Sequence, residues 1–198
     1  INSPASKRSE FVNLPTRYGN FKIKSYGNGN VALIKGNIDP SKPVLTRVHS
    51  KCLTGGTFCS KRCDCGAQLH TAMKEIEKNG SGLIIYLNQE GRGIGLTNKL
   101  RAYALQDQGH DTYEANQMLG FAPDERNYDV AAAIFKELKI KEINLLTNNP
   151  DKIDQLNDYG IKINKRIPLE IAPNDVDRFY LQTKKKRFHH LLELKEAE

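Results

Sequence analysis

Apolar and polar positions alternate over Asn20 to Tyr26, and short apolar-rich runs follow at Val31 to Lys35 and Val44 to His49; bounded by turn signals, all three predict strands. Turn-forming stretches separate them, G-N-G-N after Tyr26 and D-P-S-K-P before Val44. The period then changes. From Gln68 to Lys78 the apolar residues Leu69, Met73 and Ile76 fall at helical spacing, whereas Gly82 to Leu87 is a continuous apolar run that predicts a buried strand. Helices are expected over Asn98 to Gln108, Glu114 to Leu119, Tyr128 to Leu138, Pro150 to Tyr159 and Asp175 to Leu192, with strands at Glu142 to Leu146 and Ile161 to Ile167. Alternation through the second half predicts an α/β (α+β) fold, a mixed sheet with flanking helices in a single domain. Residues 1–13 are polar and expected to be loose, residues 14–192 to form the domain, and 193–198 a tail.

A chain of 198 residues can bury one sizeable core. No apolar run approaches the roughly 20 residues that cross a bilayer, and no signal peptide is legible, so a cytoplasmic protein without membrane partners is expected. The chain begins at Ile1 rather than Met, which leaves room for an upstream segment. Net charge is +7, with K-K-K-R at Lys184 to Arg187. Basic charge can attract nucleic acid or steer a small polyanion into a cleft. Here it is spread along the chain without interleaved aromatics, and the tail reads as a solvated helix face.

All four cysteines lie in R-V-H-S-K-C-L-T-G-G-T-F-C-S-K-R-C-D-C-G-A-Q-L-H, Arg47 to His70. Clustering on that scale suits a metal in a reducing compartment better than a disulfide framework. Cys52, Cys63 and Cys65 are three thiolates for zinc. Spacing alone leaves two readings open: a catalytic ion with its fourth position free for water, or a structural ion closed by Cys59, His49 or His70.

Three further segments carry chemistry. N-Q-E-G-R-G-I-G-L-T-N-K, Asn88 to Lys99, has glycines that let backbone approach a ligand before a helix start, but it is neither a dinucleotide fingerprint nor a P-loop. Glu90 could accept from a guanine edge or bind magnesium, and Arg92 could hold phosphate; an ordinary turn with a surface ion pair is the alternative. In P-D-E-R, Asp124 could cap a helix with Arg126 in solvent. In L-L-T-N-N-P-D-K, Thr147 and Asn148 leave the carboxyl end of a strand, where ligands gather in α/β sheets. Lys152 sits in a first helical turn, which disfavours a cation unless an anion is near. His189 and His190 read as structural or exposed.

Together these motifs, with R-A-Y-A-L-Q-D-Q-G-H-D-T-Y-E-A-N and L-G-F-A-P-D-E-R, resemble GTP cyclohydrolase II of riboflavin biosynthesis over Leu14 to Leu192. The resemblance implies zinc-dependent opening of the GTP imidazole ring, with loss of formate and pyrophosphate, by a homodimer that also uses magnesium. It makes Cys52, Cys63 and Cys65 the zinc ligands, with Cys59 spare and the site open. It implies GTP contacts from Arg47, Val48, His49, Ser50, Lys51, Gln68, Glu90, Gly91, Arg92, Thr112, Thr147 and Lys152. It makes Asp124 a proton acceptor, Arg126 a nucleophile or charge stabiliser at the α-phosphate, and Tyr103 a further active-site residue. Lys51 and Gly56 stand where that family usually has acids. A paralogue stopping at the formamidopyrimidine, or releasing no pyrophosphate, is the second reading, and a zinc-containing nucleic-acid-binding module the third.

Overall fold

The computed structural model describes residues 8–122, 124–172, 177–187 and 189–192. Seven strands form one sheet: β1 (Val12–Thr16), β2 (Gly19–Ser25), β3 (Val31–Lys35), β4 (Val44–Ser50), β5 (Gly82–Leu87), β6 (Glu142–Leu146) and β7 (Lys162–Ile167). Their order is β1-β2-β3-β5-β4-β6-β7. The first four neighbours pair antiparallel, and β5, β4, β6 and β7 pair parallel, so the sheet is mixed as the pattern predicts.

Helices α1 (Leu53–Gly56), α2 (Cys65–Asn79), α3 (Gly95–Asp107), α4 (Thr112–Met118), α5 (Asp129–Glu137), α6 (Pro150–Asp158) and α7 (Arg178–Arg187) surround it. One face is covered by α2, whose Ala72, Met73 and Ile76 pack with Phe21, Ile84 and Leu146. The other is covered by α5 and α6, where Ile134, Phe135 and Leu156 meet Val48, Leu83, Ile85 and Leu145. Adjacent residues of β5 therefore serve opposite cores, as the two-residue strand period requires.

That layering positions the site. The chain leaves β4 for β5 through α2 on one face, and leaves β6 for β7 through α6 on the other. Strands β4 and β6 pair from Val44–Ile143 to Thr46–Leu145 and no further. Connections diverging to opposite faces open a crevice at the carboxyl ends of adjacent parallel strands, the topological switch point where α/β sheets bind ligands.

Some expectations shift. Strand β1 starts at Val12, inside the stretch expected to be loose, and pairs along its whole length with β2. Pro15 within it is tolerated because β1 is an edge strand. Helix α4 starts at Thr112 rather than Glu114 because Asp111 and Glu114 form a reciprocal capping box. The final helix stops at Arg187, and His189 to Leu192 are not helical. Pro123, residues 173–176 and the tail 193–198 lie outside the described residues. No described helix is long and apolar enough to cross a membrane.

Candidate functional site

The sulfur atoms of Cys52, Cys63 and Cys65 lie within 4.8 Å of one another. Cys52 caps α1, accepting the Gly55 amide at 3.3 Å, and Cys65 is the first residue of α2. Both positions are ones where backbone N–H groups favour a thiolate. A tetrahedral ion with bonds of about 2.3 Å separates its sulfurs by about 3.8 Å. The Cys52 and Cys63 sulfurs are 3.7 Å apart. A Cβ on Gly55 would stand 2.7 Å from the Cys63 sulfur and 3.2 Å from that of Cys52, so the cradle closes around glycine only. The donor set and its spacing fit zinc. Hydrogen bonds from Cys63 and Cys65, helped by Lys99, hold the Cys52 thiol low, while the negative Cys52 raises the other two. Cys59 is exposed, away from the cluster.

The cluster opens into a cavity of about 1050 Å³, partly continuous with solvent, at the β4–β6 switch point. Strand β4 contributes Arg47, His49 and Ser50, followed by Lys51. Arg47 donates to the Leu146 carbonyl at 2.8 Å and to Gln68 Oε1 at 2.6 Å. Burial lowers Arg47 to about 10, with Asp64 acting against the shift, so it stays charged at neutral pH. Burial and the Arg47 charge push His49 well below the ordinary histidine value, keeping it neutral. Val48 departs from expectation: its side chain belongs to the core, and only its carbonyl serves the site, accepting Lys152 Nζ at 2.7 Å.

Beyond β6, Thr147, Asn148, Asn149 and Lys152 line the same cavity. Lys152 is buried, and burial together with Arg47 and Arg126 pushes its ammonium well below the usual lysine range. An incoming anion would oppose that shift and favour the charged form. Nearby, Arg47 Nε, Asn149 Nδ2 and the Tyr128 hydroxyl are buried without hydrogen-bond partners. Of these, Arg47 and Asn149 line the cation-rich cavity, and donors left in that state there suit a polar ligand.

The E-G-R-G segment, Glu90–Gly93, forms a 3₁₀ turn with Gly91 and Arg92 both left-handed, at φ 62° and 58°. Glu90 does not make a surface pair with Arg92. It turns inward, accepting the Leu53 amide at 2.6 Å and Lys99 Nζ at 2.7 Å. Gly91 is forced twice over, since a Cβ there would also meet the Lys99 Cβ at 3.0 Å. The Arg92 carbonyl accepts the Glu125 amide at 2.9 Å, which ties this turn to the Asp124–Arg126 loop.

Asp124 grips Arg126 through backbone and guanidinium, with Nε donating to Oδ1 at 2.8 Å and Nη2 to Oδ2. Neither residue is a solvent group or a simple cap. Arg126 lines the cavity and Asp124 stands behind it. Burial would raise the Asp124 carboxyl, but Arg126 and the Arg92 charge hold it below the ordinary range. Tyr103 and Thr112 also line the cavity. The Tyr103 hydroxyl lies 3.4 Å from Thr54 Oγ1, and burial raises its pKa.

The lining residues that were not anticipated include Lys99, Lys184 and His190. Lys184 lies in the basic run expected to be solvated, yet it is buried and donates to Asp64 at 2.7 Å. Gln68 Nε2 also donates to Asp64, completing a chain from Arg47 through Gln68 and Asp64 to Lys184. Burial and Lys184 lower His190 to about 2, so it enters the cavity neutral.

Residues 7–168 match the family model described as GTP cyclohydrolase II. The chain is 53% identical over 184 residues to GTP cyclohydrolase-2 of Buchnera aphidicola subsp. Acyrthosiphon pisum, covering 90% of this chain and 95% of that protein. It is 52% identical over 191 residues to riboflavin biosynthesis protein RibBA of Endomicrobium trichonymphae, covering 93% of this chain and 47% of the relative. With RibBA of Chlorobium phaeovibrioides the identity is 50% over 191 residues, covering 94% of this chain and 47% of the relative. The chain thus spans about half the length of these RibBA relatives.

Proposed function

The chain belongs to the GTP cyclohydrolase II family, and from that premise we propose that it hydrolyses GTP. The imidazole ring opens with release of formate and pyrophosphate, giving 2,5-diamino-6-(5-phosphoribosylamino)pyrimidin-4(3H)-one, the first step of riboflavin biosynthesis. The observation that carries this reading is a three-thiol cluster opening onto a cavity whose other wall is cationic. Residues 14–192 act as the catalytic domain of a cytoplasmic homodimer.

Zinc held by Cys52, Cys63 and Cys65 would supply Lewis acidity and an acidified water at purine C8. Tyr103, kept neutral by burial, donates to the reacting purine and passes it a proton. Ser50, Lys51, Gln68, Gly91 and Thr112 enclose the nucleoside, with Glu90 acting through Lys99 and the Leu53 amide. At the phosphate end, magnesium accompanies the triphosphate, and Arg47, Arg92 and Lys152 gather around it. Thr147 lies beside Lys152 at that end.

Arg126 is clamped by an ionised Asp124. A carboxylate held below its ordinary pKa is a weak base, and a guanidinium keeps its proton up to a pH of about 12 or more. Arg126 therefore stabilises charge as pyrophosphate leaves the α-phosphorus, and does not attack it. These cations converge on one cavity, which favours a small polyanion over nucleic acid.

Metal content and GTP consumption, measured together, test the assignment. Cys59→Ser should keep both, and Cys63→Ser should lose both. Turnover surviving in metal-free Cys63→Ser protein would refute it.

A further inference from the structure

Lys99 reaches the metal cluster from α3 without any obvious business with a nucleotide. Its ammonium has three protons and three acceptors: Glu90 Oε1 at 2.7 Å, Thr54 Oγ1 at 2.9 Å and the Cys52 sulfur at 3.1 Å. The side chain is buried, and the Gly91 backbone lies against its stem. With every donor committed and the stem covered, Lys99 has nothing left with which to bind substrate.

Its position answers a charge problem. Three thiolates around a divalent ion leave one net negative charge, and strongly donating sulfurs weaken the ion as a Lewis acid. A hydrogen bond from a cation withdraws electron density from the sulfur it touches, and groups behind metal ligands tune metals in this way. We propose that Lys99 is a positioning residue for the metal centre: it fixes the Cys52 sulfur, balances the charge of the three-thiolate set, and limits how much charge that sulfur donates to the metal. The inference rests on the proposed metal centre but not on GTP turnover.

Cobalt(II) replacing zinc reports it, because sulfur-to-cobalt charge-transfer absorption follows the energy of the thiolate electrons. In Lys99→Met and Lys99→Gln the band should move to longer wavelength at one cobalt per chain, and Lys99→Arg should keep it near the wild-type position. Gln fills much of the same space and can still bond Glu90 and Thr54, so it carries the test if Met disturbs the fold. An unmoved band in Lys99→Gln at full occupancy overturns the proposal. Failure of the wild-type protein to take up cobalt would instead overturn the metal centre itself.

Discussion

The Lys184 ammonium donates to the Asp64 carboxylate at 2.7 Å across 120 residues of sequence, with both side chains buried. Asp64 stands between two cluster cysteines, so α7 is anchored directly to the cysteine loop. Removing one partner of a buried pair strands the other charge, which destabilises by about 3–5 kcal/mol. Lys184→Met should lose stability on that order in denaturant titrations. Adding Asp64→Asn should not add its full effect, since the two residues share one interaction.

Glycines 55 and 56 are neighbours with opposite sensitivities. A Cβ at Gly55 collides with the Cys63 sulfur at 2.7 Å, whereas at Gly56 it meets nothing within 4 Å. Overpacking of this kind destabilises by about 1–3 kcal/mol. Gly55→Ala should therefore lose that much stability and hold metal at least about tenfold more weakly, the binding equivalent of about 1.4 kcal/mol. Gly56→Ala should stay within about 0.5 kcal/mol of the parent. Metal competition against a chelator and urea melts read both.

His49 predicts a pH dependence of stability. In the folded chain burial and neighbouring cations keep its imidazole neutral well below the ordinary value of 6.5. The unfolded chain takes up that proton below pH 6.5, so it binds more protons than the folded one and stability falls as the pH drops. The contribution is absent above 6.5 and grows by up to about 1.4 kcal/mol per pH unit below it. Subtracting the His49→Gln profile from the parent's cancels what the two share. The difference should be flat at alkaline pH and slope downward from 6.5 to 5.

Much of this was legible in the chain because its signals are local. Short apolar-rich runs between turn and helix signals located β3 and β6 to the residue, and C-x-C beside a third cysteine pointed to the cluster. What stayed hidden depends on partners far apart in sequence. Lys99 looks like any helical lysine until folding brings Cys52, 47 residues earlier, to its ammonium. Lys184 sits in a run whose other members are exposed, and nothing local separates it from Lys185 and Lys186. Strand β1 escaped notice because Pro15 and polar neighbours mask its period, and only pairing with β2 gives it form. Asp124 and Arg126 read as helix cap and solvent group because their clamp depends on the loop being folded against the Arg92 turn.

The most direct measurement is the yield of formate and of pyrophosphate from the same reaction, using zinc-loaded protein with GTP and magnesium. Both should appear in step, at equal amounts, and disappear together when the metal is removed. Formate without pyrophosphate, or neither product from protein with a full complement of zinc, would contradict the assignment.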